Sequence, residues 1–166
     1  MARPSLLTED ELAGAIESCQ RIGKMLYQDD TYYLEKFIVK PVHIEVQIFN
    51  GTAVGIRKCA VQRRNQKIVE ESGDHFLSNH TRLALLAAAE NMGRISGYEK
   101  SGGAGTVEFL YDPDSDAMGF LEMNTRLQVE HPVTDQSLGI DLARWQILLF
   151  DGRESEIPFT RVLEKR

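Results

Sequence analysis

The sequence predicts an α+β domain in which helices flank an antiparallel sheet. An alternating apolar and polar segment at 42–49 is followed by Asn50-Gly51, a pair that favours a two-residue hairpin turn. A second alternating segment at 105–112 runs into the turn-forming cluster Asp112 to Asp116. Segments with helical spacing lie before, between and after these hairpins, and this order is typical of α+β domains rather than of βαβ repeats.

Three segments have the apolar spacing of helices. Thr8 followed by Glu11 forms a capping-box pattern, and the apolar residues that follow predict a helix from about 8 to 27. The stretch Leu83 to Met92, rich in alanine and leucine, predicts the centre of a second helix. The stretch Leu138 to Phe150 predicts a third.

Five segments are predicted to be extended. Residues 31–39 and 42–49 form the first two, and the strand that returns after the hairpin turn is expected from about Ala53 to Arg64. The later pair comprises residues 105–112 and Met118 to Val129.

Composition excludes several classes of protein. With 166 residues the chain can form one sizeable core, and its net charge of −6 argues against a general nucleic-acid binder. No apolar run approaches the roughly 18 residues of a membrane span, and the N-terminus lacks the apolar segment of a secretory signal. Cys19 and Cys59 lack metal-type spacing, so we expect reduced thiols in the cytoplasm or, in a eukaryote, in the mitochondrial matrix.

The segment Phe120 to Asp135, FLEMNTRLQVEHPVTD, is the most informative about a possible binding or catalytic site. Polar residues stand at every second position, namely Glu122, Asn124, Arg126, Gln128 and Glu130. In an extended strand they would share one face at steps of roughly 6.6 Å. Such a face could hold a metal, an anion and a base in series; the alternative is a half-buried strand with a solvated polar face.

A hairpin around the turn at 113–116 would place Glu108 opposite Glu122. Directly opposed carboxylates destabilise a strand pair, and a bound Mg²⁺ would remove this repulsion because it prefers carboxylate and phosphate oxygens. The alternative is a carboxylate pair screened by solvent.

Four motifs, in order, closely resemble the biotin carboxylases of the ATP-grasp superfamily. They lie at 32–49, 61–72, 103–112 and 120–135. This family includes the biotin carboxylase subunits or domains of acetyl-CoA, propionyl-CoA, methylcrotonyl-CoA and pyruvate carboxylases. The resemblance implies an ATP-grasp fold and a ligase that uses ATP, Mg²⁺ or Mn²⁺, and bicarbonate. Carboxyphosphate formed from them would carboxylate N1 of carrier-bound biotin.

The resemblance also implies roles for individual residues. Glu130 would be the general base that deprotonates bicarbonate, Arg126 would steady anionic intermediates, and Lys67 would lie at bicarbonate. The bicarbonate site would comprise Lys67, Arg126, Gln128, Val129 and Glu130. The metal ligands would be Glu108, Glu122 and Asn124. His131 and Pro132 are interpreted as structural residues that terminate the strand.

A nucleotide site follows from the same resemblance. Its implied residues are Glu35, Lys36, Phe37, Ile38, His43, Gln62, Glu108, Leu110, Leu121 and Glu122. The segment 35–38 matches the hinge that reads adenine, and Phe37, Ile38, Leu110 and Leu121 could wall the slot or simply belong to a core. His43 matches a position near the ribose, although a lone histidine beside a strand is often structural. Asn65 replaces the histidine usual in the family, which puts that nucleotide contact in doubt.

The matched motifs cover part of a biotin carboxylase. We therefore expect a fragment in which residues 1–30 end the lid subdomain and residues 31–166 form the front of the carboxyl-terminal domain. The implied partners are a biotin carboxyl carrier protein or domain, a carboxyltransferase and a second copy in a homodimer, with no nucleic acid and no membrane. Alternatives are a non-catalytic nucleotide-binding or structural module, and another ATP-grasp ligase such as carbamoyl-phosphate synthetase.

Overall fold

The computed structural model describes residues 8–63 and 66–158, without the side chains of Lys100 and Ser101. The chain divides into two compact units, and the division falls between Val39 and Lys40. Each unit is described by itself.

The first unit contains one long helix. A 3₁₀ turn, Glu9–Glu11, leads into helix α1, Leu12–Tyr27, which confirms the helix predicted for residues 8–27. The Glu11 carboxylate accepts a hydrogen bond from the Thr8 backbone amide at 3.3 Å, one half of the expected capping box. Helix α1 ends where Gln28 adopts a left-handed conformation, φ 58°.

The strand predicted at 31–39 is wrong. The described residues of this segment form no strand, and several of its apolar side chains are exposed, among them Tyr33 at 66% and Val39 at 65%. Alternation in the sequence supplies a pattern of faces, but a strand also needs a neighbour for its backbone groups. The segment lies outside the five-stranded sheet, so it lacks that neighbour.

The second unit is built on a five-stranded antiparallel sheet with flanking helices, which confirms the predicted fold class. Its strands are β1 Val42–Phe49, β2 Thr52–Arg63, β3 Gln66–Ser72, β4 Ala104–Asp112 and β5 Ala117–Asn124, in the order β3-β2-β1-β4-β5. The predicted hairpin between β1 and β2 is confirmed. Asn50 and Gly51 both have positive φ, 48° and 77°, as the tightest hairpin turns require.

One predicted strand boundary needs correction, and one strand was not predicted. The extended segment predicted for Met118 to Val129 ends at Asn124, because the chain turns into a loop before the next helix. Strand β3 was not predicted as a strand; its residues pair with the far end of β2.

Five helices complete the described chain. They are α1, α2 Asn79–Ile95, the short α3 Tyr98–Ser101, α4 His131–Leu138 and α5 Leu142–Phe150, and a 3₁₀ turn at Glu154–Glu156 follows. The second predicted helix is confirmed by α2. None of the helices in the described ranges is long and apolar enough to cross a bilayer.

The third predicted helix starts in the wrong place. The segment from Leu138 to Phe150 is interrupted at Gly139, whose φ of 68° ends α4, and α5 begins at Leu142. His131 and Pro132 therefore open a helix instead of terminating a strand, since proline is tolerated in a first helical turn, where amide donors lack partners.

The sheet buries apolar side chains in two clusters. Ile44, Val46 and Ile48 of β1 pack with α2 residues such as Leu85 and contribute to the larger cluster. At one end of the sheet, Phe49 packs against α5, where its ring meets Trp145 edge to face with centroids 5.5 Å apart. Because side chains alternate along a strand, the residues between Ile44, Val46 and Ile48 occupy the other face of β1.

Candidate active site

A row of charged side chains crosses the middle of that other face. Glu45 on β1 pairs in register with Arg57 on β2 and with Glu108 on β4. Glu108 in turn pairs with Glu122 on β5, which confirms the predicted opposition of these two carboxylates. Glu45 and Arg57 are completely buried, and Glu108 is 4% exposed.

Lys67 of β3 extends its ammonium group into this row. Its Nζ lies 2.9 Å from Glu108 Oε1 and 2.7 Å from Glu130 Oε1, and it forms an ion pair with Glu45. One cation thus joins three carboxylates that come from two strands and a loop. The predicted base and bicarbonate lysine are in direct contact.

The charges of this cluster stabilise one another. Burial alone would lower the pKa of Lys67, but hydrogen bonds to Glu130, Glu45 and Glu108 raise it above its usual value. Burial alone would raise the pKa of Glu108, but hydrogen bonds from His43 and Lys67 outweigh it and lower that pKa to about 2. The pKa of Glu130 is lowered in the same way, against its burial, by the hydrogen bond from Lys67. At neutral pH the cluster therefore contains an ammonium group between ionised carboxylates.

Both oxygens of Glu108 accept hydrogen bonds. Oε1 accepts from Asn124 Nδ2 at 2.9 Å and from Gln128 Nε2 at 3.2 Å, in addition to Lys67, and Oε2 lies 2.7 Å from His43 Nε2. The Gln62 amide donates to His43 Nδ1 at 2.6 Å, so the ring proton is on Nε2, which donates to the carboxylate. This chain of contacts fixes the imidazole between two predicted nucleotide residues.

The three predicted metal ligands form an oxygen-rich set. Asn124 Nδ2 donates to Glu108 Oε1 at 2.9 Å and to Glu122 Oε1 at 3.4 Å, so the amide bridges the two carboxylates. Rotating the Asn124 side-chain amide by 180° would place its oxygen between the Glu108 and Glu122 carboxylates. Two carboxylates and an amide oxygen are the donors that Mg²⁺ and Mn²⁺ accept, and the set fits a divalent cation.

Among the described residues, two other groups of side chains bring together ligand atoms suited to a metal ion, and within each group these atoms lie within 4.8 Å of one another. They are His43 with Glu45 and Glu108, and Glu45 with Glu70 and Glu130. Both groups include Glu45, a completely buried carboxylate whose two oxygens are already paired with Arg57 and Lys67. We interpret them as parts of an internal ion-pair network rather than as metal sites.

The prediction that the polar residues from Glu122 to Glu130 share one strand face is wrong beyond Asn124. Arg126 is exposed, and its Nη1 donates to the neighbouring Leu127 carbonyl at 3.4 Å. Val129 is 91% exposed. The loop nevertheless turns back over the sheet, so Gln128, which is 5% exposed, and Glu130 reach the charged row.

The predicted nucleotide residues are divided between the sheet of the second unit and residues 35–38 of the first unit. Leu110 pairs with His43 across the sheet, whereas Leu121 lies at the irregularity in the β4–β5 register. Residues 35–38 belong to the first unit, where Phe37 is 50% exposed. Asn65 lies outside the described residues.

The family of the chain follows from comparison with known proteins. Residues 6–156 match the model described as "Carbamoyl-phosphate synthase L chain, ATP binding domain". The chain belongs to this family.

Members of the ATP-binding-domain family that resemble the chain include several carboxylases. The chain is 40% identical over 160 residues to urea amidolyase of Saccharomyces cerevisiae, covering 93% of this chain and 9% of that protein. It is 43% identical to the methylcrotonoyl-CoA carboxylase subunit alpha of Arabidopsis thaliana, covering 90% of this chain and 21% of that protein. The chain thus spans a small part of the relatives it matches.

Solved structures agree with this relationship. The biotin carboxylase of Campylobacter jejuni superposes with a TM-score of 0.75 at 42% identity, covering 85% of this chain and 32% of that one. The biotin carboxylase domain of Hydrogenobacter thermophilus 2-oxoglutarate carboxylase, solved with MgADP, ADP and bicarbonate, gives 0.74 at 36% identity, covering 87% and 32%. These similarities confirm the resemblance to biotin carboxylases predicted from the motifs.

Sequence analysis missed part of the charged row in this member of the ATP-binding-domain family. Glu45 and Gln47 alternate with Ile44, Val46 and Ile48, so they share a strand face with His43. This alternation was a signal that they belong to the same site. Arg57 had no comparable signal, because it comes opposite Glu45 only through the irregularity that shifts the β1–β2 register between Gln47 and Ile48.

A groove of about 390 Å³ is lined by residues of β2 and by Asp74, Arg82 and Leu138, among others. It adjoins the charged row at Thr134, whose hydroxyl accepts a hydrogen bond from Arg57.

Proposed function

We propose that this chain provides the bicarbonate and metal–phosphate part of a biotin carboxylase. The enzyme would use MgATP and bicarbonate to carboxylate N1 of carrier-bound biotin by way of carboxyphosphate. The observation that supports this most strongly is the Lys67 ammonium group, which bonds to Glu108 at 2.9 Å and to Glu130 at 2.7 Å. The proposed base, Glu130, and the proposed metal ligand, Glu108, thereby both contact the same anion-binding cation, Lys67.

Glu130 would act as the general base. Its side chain is 15% exposed and ionised, so it can accept the hydroxyl proton of a bicarbonate ion placed beside it. The deprotonated oxygen would attack the γ-phosphorus of ATP, and the bond from that phosphorus to ADP would break, giving carboxyphosphate and ADP. Lys67 would attract the bicarbonate anion, and Gln128 would offer an amide donor.

Glu108, Glu122 and Asn124 would hold the divalent cation. The cation would offset the negative charge of the transferring phosphoryl group. The contacts of His43 and Gln62 support a place for both beside the nucleotide, together with Leu110 and Leu121.

Arg126 and Val129 would complete the anion site from the loop after β5. Both residues are exposed in the structure. To contact the bound anion, the Arg126 side chain would therefore turn inward when reactants bind. A change of this size is ordinary for a loop side chain. The carrier protein, the carboxyltransferase and a second copy of the enzyme would be the partners of the complete protein.

A calorimetric titration of this chain with ADP, with and without Mg²⁺, tests the proposal. We expect binding that depends on Mg²⁺ and that is lost in Glu122→Gln. Glu71→Gln is the matched control, since it removes an exposed carboxylate from β3 that pairs with Lys58. ADP binding that does not depend on Mg²⁺, or that is unchanged in Glu122→Gln, would contradict the assigned metal site.

The general base is tested separately in an active carboxylase that carries this chain. Glu130→Gln should abolish ADP production that depends on bicarbonate and biotin, because an amide cannot take up the proton. Full activity of that variant would rule out Glu130 as the base.

A further inference from the structure

We propose that Arg57 is a positioning residue of this site, which aligns Glu45 and Gln128 so that the Lys67 ammonium group and the Gln128 amide meet the bicarbonate ion correctly. This inference rests on the proposed function and adds to it a residue that does not touch the reactants. The contacts of Arg57 that support it all lie in the second unit.

Arg57 is among the most enclosed side chains of the described chain, with no exposed surface. Its Nη2 donates to Glu45 Oε2 at 2.8 Å, and its Nη1 donates to Gln47 Oε1 at 2.6 Å and to Thr134 Oγ1 at 2.9 Å. Longer contacts of 3.4 Å reach Thr106 Oγ1 and Gln128 Oε1. The planar guanidinium thus joins β1, β2, β4, α4 and the loop after β5 in a single fork.

One connection to the site runs through Glu45. Its carboxylate is shared, because Oε2 accepts from Arg57 while Oε1 pairs with Lys67. The plane of the carboxylate is fixed by Arg57, and this plane determines where the second oxygen meets the Lys67 ammonium group. A freely turning Glu45 would draw that group away from Glu130.

The second connection runs through Gln128. Arginine has only donors, so Gln128 must present its carbonyl oxygen to Arg57, and its NH₂ group must then point the other way. That NH₂ group donates to Glu108 Oε1 at 3.2 Å, where an ionised carboxylate can only accept. Both contacts require the same amide orientation, which is the orientation that offers a donor to an anion.

Arg57→Lys tests the inference. Lysine keeps a positive charge beside Glu45 but has no fork, so it should leave the fold intact and release Gln128. Lys58→Arg is the matched control, since it makes the reverse exchange at the next position, where the side chain contacts Glu71 and the Phe76 ring.

The first readout needs no ligand. In the unaltered chain, NMR should show that the Gln128 side-chain NH₂ protons exchange slowly with solvent and have chemical shifts distinct from those of an exposed glutamine amide. In Arg57→Lys the shifts should move to those of an exposed amide and exchange with solvent should become fast while the backbone amide signals of β1 and β4 stay in place, and Lys58→Arg should leave them unchanged. A Gln128 signal that is unaffected by Arg57→Lys would overturn the positioning role.

The second readout uses sodium bicarbonate in the presence of MgADP. We expect Arg57→Lys to weaken bicarbonate binding by about tenfold or more, the effect of one misaligned charge-assisted hydrogen bond, and to change MgADP binding less than twofold. Equal losses for both ligands would overturn the inference. Absence of bicarbonate binding by the unaltered chain would count against the proposed function, and the Gln128 signals would still decide the role of Arg57.

If Arg57→Lys does not fold, the unaltered chain decides the question. A guanidinium held by the fork should give separate, slowly exchanging signals for its Nη protons. A single averaged signal in fast exchange would overturn the inference, because a freely rotating guanidinium cannot fix its neighbours.

Discussion

Replacing Lys67 by Met gives the sharpest test of the charged row. Methionine has similar length and volume but carries no charge, so it removes the cation that bonds to Glu45, Glu108 and Glu130 with little change in packing. The loss leaves three carboxylates close together, although Glu45 keeps its pairing with Arg57 and Glu108 keeps its hydrogen bond from His43.

The magnitude follows from Glu108. Its ordinary pKa of 4.5 is lowered to about 2 in the folded chain, despite its burial, by His43 and Lys67. This difference corresponds to roughly 3 kcal/mol of stability at pH 7. Lys67 shares this effect on Glu108 with His43, and it also bonds to Glu130. We therefore expect Lys67→Met to lower the free energy of unfolding by about 2 kcal/mol at that pH.

The sign of the pH dependence is fixed by the direction of the shift. A carboxyl group with a lowered pKa stabilises the folded state above its unfolded pKa, and this stabilisation is lost as the pH falls from 4.5 toward 2. The difference between Lys67→Met and the unaltered chain should therefore shrink to below about 1 kcal/mol near pH 3.

Urea unfolding followed by circular dichroism at both pH values measures this difference. Lys58→Met is the control, because Lys58 forms an exposed ion pair with Glu71 at 3.3 Å and should contribute less than about 1 kcal/mol. The reasoning is refuted if Lys67→Met costs the same at pH 3 as at pH 7, or costs nothing at pH 7.

Three further predictions concern the scaffold and its thiol. Gly51→Ala should lower the free energy of unfolding in urea by about 1–2 kcal/mol, because the new Cβ would lie 2.7 Å from Glu99 Cβ at a φ of 77°; no loss would contradict the close approach. Thr134→Val should cost about 1–2 kcal/mol by removing a buried acceptor from Arg57, and Thr134→Ser should restore most of it. Burial raises the pKa of Cys59 to about 12, so mass spectrometry should find it alkylated by iodoacetamide at pH 8 only after unfolding, and rapid labelling of the folded chain would refute this.

Local signals in the sequence predicted the hairpins well. Asn50-Gly51 and the cluster Asp112 to Asp116 both form turns, because these residues tolerate the backbone angles that tight turns demand. The opposition of Glu108 and Glu122 was predicted from a hairpin around this turn, but in the structure it also depends on the register irregularity beside Glu108, because plain counting from the Asp112–Ala117 pair would place Leu121 there.

Features that depend on distant contacts were harder to predict. The segment 31–39 alternates like a strand but has no place in the sheet, and alternation after Asn124 continues into a loop. Sequence periodicity records which side chains could share a face, whereas the end of a strand depends on where its neighbour stops.

The site was predicted in its parts but not in its connections. Lys67, Glu108 and Glu130 were identified through the resemblance, yet nothing in the sequence showed that a buried arginine would support them. The position of Arg57 opposite Glu45 depends on strand register, which is a property of the folded pair.

The turn at Asn50-Gly51 has a consequence for evolution as well as for folding. A slip of β1 by one residue would invert the strand, sending Ile44 and Val46 into the charged row and Glu45 into the apolar layer beneath α2. An insertion or deletion that shifted the register at this two-residue turn would thus exchange the charged and the apolar faces without altering any of these side chains. We expect length variation among natural relatives to be excluded from this turn.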